Sequence, residues 1–150
     1  MEPMAHRRLL SLVVVVAVLV AVTPSPSIAD DLPRRDRMLR ILNQTRRNHD
    51  LPVFRLNASL SHFAWQHSKR MVSANKLFHT MDLYSQVRAY SPSTWGENLG
   101  AAGTLRRVKT LWMRSAGHRH NLLKPGFRRI GIGVVKARGL VWVTAIFYGG

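Results

Sequence analysis

The chain contains no cysteine, and among its 150 residues only seven are acidic against 23 lysines and arginines. Without cysteine there is no disulfide scaffold, no thiol nucleophile and no zinc-thiolate site. A domain of this length therefore holds itself by packing, which is feasible because most of the unfolded surface can be buried. The carboxylates are so few that each is worth a question. After Asp36 only Asp50, Asp82 and Glu97 remain. The formal net charge is +16, a field that favours anionic partners such as membranes, cell-wall polymers or acidic glycans. A nucleic-acid role needs a groove-reading element or an aromatic platform beside the charge, and the sequence offers neither. Also missing are internal repeats, heptads, the His-Glu-x-x-His helix of metalloproteases and the Gly-x-Ser-x-Gly elbow of serine hydrolases.

One long apolar run stands at the beginning. His6, Arg7 and Arg8 precede an almost unbroken aliphatic stretch from Leu9 to Val22, and Ser27-Ile28-Ala29 offers small residues at a cleavage position. This run is short for a permanent anchor, which needs roughly 20 apolar residues. Residues 1–29 are expected to be a cleaved signal peptide, with residues 30–150 a single exported domain, a monomer without a permanent transmembrane anchor. An uncleaved signal that tethers the domain to a membrane is the alternative.

The remainder reads as helices followed by strands. Met38, Ile41, Leu42 and Thr45 form one apolar stripe of a helix over 36–48, capped by Asp36, with Arg37, Arg40, Arg46 and Arg47 on its other faces. A second helix runs from a cap at Asn57 to about Ala74 and carries His67 on its apolar face, the setting of a hydrogen-bonded core histidine. Met81 to Ser93 reads as an irregular segment long enough to carry function. A third helix is expected from a cap at Thr104 to about Ala116, with Gly117 as its stop and His118, Arg119 and Asn121 clustered just beyond it. Arg106 and Arg107 oppose the dipole of its first turn. Arg129–Lys136 and Leu140–Tyr148 form an antiparallel hairpin, and Gly131 and Gly133 leave one face flat for another element to approach. The pattern is α+β.

Three polar sites stand apart from these faces: His79 in a loop, Glu97 between glycines, and His118 at a helix end. Two imidazoles and a carboxylate are enough to hold zinc or another divalent cation, to perform acid–base chemistry, or simply to satisfy one another. Ser115 lies near His118, but no aspartate stands by to orient a catalytic triad.

The ordered set Phe78-His79-Thr80, Gly96-Glu97-Asn98-Leu99, Trp112-Met113-x-Ser115-x-Gly117-His118-Arg119-x-Asn121-Leu122-Leu123, Ile130-Gly131-Ile132-Gly133 and Phe147 resembles the CAP superfamily (cysteine-rich secretory proteins, antigen 5 and pathogenesis-related 1) in a compact, cysteine-free bacterial form. The resemblance covers residues 36–149. It implies an α-β-α sandwich, with a small antiparallel sheet between helical layers and a cleft holding a His/Glu cluster. Carried over residue by residue, His79 matches the first cleft histidine and Glu97 the glutamate of Gly-Glu-Asn, with His118 chosen as the second histidine. The second glutamate of secreted eukaryotic relatives falls on Ser115 here. Asn98, Arg119 and Asn121 are assigned to structure, the last two as ties between the helix end and the hairpin. The function the resemblance implies is an extracellular binding module whose cleft holds a divalent metal through His79 and His118 and recognises a lipidic or cell-envelope ligand. The alternatives are a hydrolase that uses Glu97, His79 and His118 catalytically, and adhesion to anionic polymers through charge alone.

Overall fold

A computed structural model describes residues 27–150, so most of the expected signal segment lies outside the described residues. The apolar alternation of the last two strands sets the architecture. In β4 (Leu140–Gly149), Val141, Val143, Ala145 and Phe147 face one way, while Trp142, Ile146 and Tyr148 face the other. Both faces are buried, so the strand needs a helical layer on each side.

One layer is formed by α1 (Ile28–Arg47), α4 (Leu105–Arg114) and α5 (Ala116–Leu123), whose Met38, Leu42, Val108, Trp112 and Leu122 pack on the first face. The other is formed by α2 (Ala58–Ala74), whose Leu60 and Ala64 pack on the second face, and by the short α3 (Leu83–Val87). Between them lies a four-stranded sheet in the order β1-β3-β4-β2, where β1 is Arg55–Leu56, β2 is Thr94–Ala102 and β3 is Arg129–Ala137. This is the expected α-β-α sandwich. The sheet is mixed rather than purely antiparallel, because the two-residue β1 runs parallel to β3. The β3–β4 hairpin turns at Arg138-Gly139, both at positive φ, as a type I′ turn requires.

Gly131 and Gly133 do what their pattern suggests. A Cβ on Gly133 would overlap the α2 backbone at Ala64 and Trp65. Beyond Ile130 the strand has no β1 neighbour, and the N–H of Ile132 donates to Ser61 Oγ of α2 at 3.0 Å instead. Helix α2 thus covers the face of β3 and satisfies its edge at once.

Several boundaries differ from expectation for identifiable reasons. Helix α1 starts at Ile28, capped by Ser27 rather than Asp36, with Asp30 and Asp31 favouring its first turn. Asp31 is buried and accepts from Trp65 Nε1 at 3.1 Å, which anchors this added length to α2. The expected third helix is two helices, broken at an extended Ser115 (φ −99°, ψ 122°). Gly117 lies inside α5 rather than stopping a helix. Arg46, expected among solvent-facing arginines, has no exposed surface. Its guanidinium donates to the carbonyls of Pro52, Leu122, Lys124 and Phe127 at 2.6–3.0 Å and lies over the Phe54 ring. Burial, with a smaller contribution from Arg128, lowers its pKa to about 10, so it remains charged at neutral pH.

Two stability predictions follow from these contacts. Gly133→Ala is expected to destabilise the protein by roughly 1–3 kcal/mol in urea melts through overpacking against the α2 backbone; a neutral result would show that α2 can move away freely. Arg46→Met is expected to cost about 1–3 kcal/mol, as leaving buried carbonyl acceptors without their donor does. A loss below about 1 kcal/mol, within the ordinary range of single substitutions, would mean that water replaces the guanidinium.

Candidate functional site

The cleft is built around β2, an outer strand of the sheet. Side chains alternate across a strand, so neighbouring residues of β2 serve opposite layers. Glu97 lies opposite Ile146, on the α2 side, and Asn98 lies opposite Ala145, on the α5 side. Each collects a different half of the site.

The Glu97 side chain is only 2% exposed and accepts from three donors of the loop after α2. These are His79 Nδ1–H at 2.7 Å, the Thr80 N–H at 3.0 Å and the Thr80 hydroxyl at 2.7 Å. His79 itself is 66% exposed. With Nδ1 engaged, its Nε2 is the ring atom left for a ligand. A carboxylate that orients an imidazole through one nitrogen is how metal-binding and acid–base histidines are commonly held.

The loop is pinned from below by His67. Its ring is 1% exposed; Nε2–H donates to the Phe78 carbonyl at 2.8 Å, and Nδ1 accepts from Arg70 at 3.2 Å. His67 is the hydrogen-bonded core histidine that its helix position suggests, and it also positions the residue before His79. Only the path of the 75–80 loop reveals that second role.

On the other side, Asn98 Nδ2–H donates to the His118 carbonyl at 3.0 Å, and Asn121 Nδ2–H donates to Asn98 Oδ1 at 3.0 Å. Asn121 also reaches the Glu97 carbonyl at 3.4 Å, and Trp112 Nε1–H donates to the Leu99 carbonyl at 2.7 Å. These two side chains take carbonyls of the outer strand that have no neighbouring strand to pair with. The ties run to β2 rather than to the hairpin. Arg119 is not among them: its side chain is exposed and makes no hydrogen bond or ion pair among the described residues.

His118 is partly buried and lies near enough to His79 to feel its charge. Burial and, secondarily, the His79 imidazole lower its pKa, favouring the neutral ring. Beside it opens a cavity of about 260 Å³ lined by Leu77, Leu99, Val108, Leu111, Trp112 and Ser115. Ser115 thus stands in the cleft wall, where it could accept from or donate to a ligand. Tyr84 and Trp95, both substantially exposed, lie against each other with ring centroids 4.8 Å apart and planes tilted by 41° near the start of β2. Sequence reasoning did not find this apolar wall, because its residues come from four separate segments.

The donor set suits a divalent cation only in part. His118 is near enough to His79 to feel its charge, but both Glu97 oxygens are engaged by loop donors, and no group of three or more potential metal ligands exists among the described residues. A metal here would rest on His79 and His118, with water completing its shell.

The layered fold and a cleft with histidine, glutamate and asparagine in these roles define a class of small α-β-α domains. The sequence profile of the Cysteine-rich secretory protein (CAP) family matches residues 39–147. The chain belongs to the CAP family. The uncharacterized Bacillus subtilis protein YkwD is 30% identical over 113 residues, covering 71% of this chain and 44% of YkwD. An extracellular protein containing an SCP domain from Bacillus anthracis superposes with a TM-score of 0.67 at 25% identity, covering 79% of this chain and 41% of that one. An outer surface protein of Borrelia burgdorferi shares the fold with a TM-score of 0.71 at 17% identity, covering 80% and 95% of the two chains. The chain thus spans less than half the length of YkwD and of the Bacillus anthracis protein.

The lowered His118 pKa has a definite sign in stability. The unfolded chain protonates this histidine more readily than the folded one, so its contribution is intact above the ordinary histidine range and is lost as pH falls through that range toward the lowered value. Chemical denaturation between pH 7 and 5 is expected to show a steeper loss for the wild type than for His118→Gln. Parallel curves would show that the ring is protonated as easily in the folded state.

Proposed function

We propose that the protein is an exported binding module whose cleft takes a lipidic ligand. The observation that carries this reading is an apolar cavity whose lining includes the His118 imidazole, with His79 close enough for its charge to act on that ring. Leu77 and Leu111, both exposed in part and backed by Leu99, Val108 and Trp112, offer a surface for an acyl chain, and His118, with His79 beyond it, would meet a polar head. Small-molecule sites characteristically pair a mostly apolar wall with a few fixed polar groups. A divalent cation held by His79 and His118 would supply a Lewis-acidic point for an anionic head group. Export rests on the basic and apolar leader of the sequence, and the extracellular and outer-surface relatives support it. Among the described residues no helix is long and apolar enough to cross a membrane.

The state of Glu97 favours binding over hydrolysis. A general base needs a lone pair within reach of the proton it removes, whereas both Glu97 oxygens are committed to His79 and Thr80 behind the exposed imidazole. Its role in this reading is to orient His79.

Titration with a long-chain fatty acid is expected to change tryptophan fluorescence saturably, and Leu111→Asp is expected to weaken that response at least about tenfold by placing a charge on the apolar wall. An unchanged response in Leu111→Asp would refute the lipidic cleft. Zinc is expected to raise the melting temperature of the wild type, since a ligand of the native state stabilises it. Failure to do so, or an equal rise for the His79→Ala/His118→Ala variant, would remove the metal from the cleft.

A further inference from the structure

A second concave surface, sharing no lining residue with the cleft, lies between α1 and α4. It is a groove of about 410 Å³ lined by Arg37, Arg40, Ile41, Gln44, Arg106 and Lys109, with Thr45 and Asn48 at one end. Helical periodicity explains its composition. Arg37, Arg40, Gln44 and Asn48 repeat along one face of α1, and Arg106 and Lys109 lie one turn apart on α4, leaving the cations of the two helices to face each other. At Arg37 and Arg106 the groove meets a second hollow of about 290 Å³ that adds Arg34 and Lys136 together with the apolar Leu105 and Val141, both nearly buried.

In the adjoining hollow Arg34 is paired with Asp31 at 2.9 Å, but the four cations of the groove itself have no such partner among the described residues. Arg37, Arg40, Arg106 and Lys109 form no ion pair, and their side chains donate no hydrogen bond. Arg106 also stands in the first turn of α4, where a cation opposes the helix dipole. Like charges are thus held together against local preference, and an anion would relieve that repulsion. Guanidinium groups match phosphate oxygens in fork geometry, and at the end of the groove the Asn48 amide N–H groups donate no hydrogen bond among the described residues, its Oδ1 accepting from Gln44.

We propose that the α1–α4 groove binds a linear phosphate-bearing polymer, independently of whatever occupies the His79/His118 cleft. Ile41 is the single apolar side chain in the lining, too little to insert into a bilayer, where interfacial binding needs buried apolar area. The groove has no aromatic side chain on which a nucleobase could stack. A polyanion without bases or acyl chains is the occupant that the lining fits.

The test is titration of the purified protein with inorganic polyphosphate of defined length, with single-stranded DNA and phosphatidylglycerol vesicles in parallel. Saturable polyphosphate binding is expected to weaken ~50-fold between 50 and 200 mM salt, as neutralisation of about four charges on a single strand predicts. The Arg37→Gln/Arg40→Gln/Arg106→Gln/Lys109→Gln variant is expected to lose at least about tenfold more affinity than an Arg55→Gln/Arg88→Gln/Arg129→Gln/Arg138→Gln variant of identical net charge. His79→Ala/His118→Ala is expected to bind polyphosphate as the wild type does, so failure of the cleft reading would leave this result unchanged. Equal losses in the two quadruple variants would overturn the proposal, as would stronger groove-dependent binding of DNA or vesicles than of polyphosphate. Amide chemical-shift mapping on the wild type checks the site without substitutions. Shifts confined to residues 37–48 and 104–109 would support it, and shifts centred on His79 and His118 would overturn it.

Discussion

The Arg46 guanidinium is buried against four backbone carbonyls and the face of Phe54, with no carboxylate beside it. Two of those carbonyls, of Leu122 and Lys124, belong to the end of α5, where helix carbonyls lack partners of their own and carry the negative end of the dipole. The other two belong to the segment before β1 and the turn before β3. One side chain of α1 thus gathers the start of two strands and the end of a helix. In a chain this poor in acids, peptide dipoles take the place of a counter-ion. Because α5 carries His118 and Asn121, the placement of half of the cleft depends on this contact.

The other half depends on β2 being an outer strand. Its alternation sends Glu97 to the α2 side and Asn98 to the α5 side, so two adjacent residues organise two layers that would otherwise be unconnected at this edge. Trp112 and Asn121 take the outward carbonyls of Leu99 and Glu97. The same contacts protect the exposed edge from pairing with another chain and bring the walls of the cleft together. Structural and ligand-facing roles are therefore divided along the Gly-Glu-Asn segment: Asn98 ties α5 to the sheet, and Glu97 aims an exposed imidazole.

The two concave surfaces differ in kind. The cleft is an apolar cavity with the His118 imidazole in its lining, and the ligand proposed for it is a small amphipathic molecule. The α1–α4 groove carries four cations and no acidic residue in its lining, which suits an extended anion. A domain carrying both would be held near an anionic polymer while its cleft remained free.

Local signals were legible in the sequence. Asn57 and Thr104 cap the helices they were expected to cap, the hairpin turns at Arg138-Gly139, and the flat glycine face of β3 receives α2, because each of these features is decided within a few residues by backbone geometry. His79, Glu97 and His118 were recognisable as a set, since polar residues that fit no apolar face are conspicuous in so short a chain. The burial of Arg46 was not legible, because its acceptors lie as far as 81 residues away and an arginine among arginines reads as surface. Nor was β2, where glycine and asparagine are poor strand formers and long-range side-chain contacts compensate. Sequence by itself thus determined the core of α1, helix α2, the start of α4, the hairpin and the candidate residues; tertiary structure alone decided that Glu97 orients His79, that Ser115 divides the expected third helix, and that α1 and α4 set their cations face to face. Those outcomes depend on contacts between distant segments, whose geometry exists only once the sheet and its two helical layers have come together.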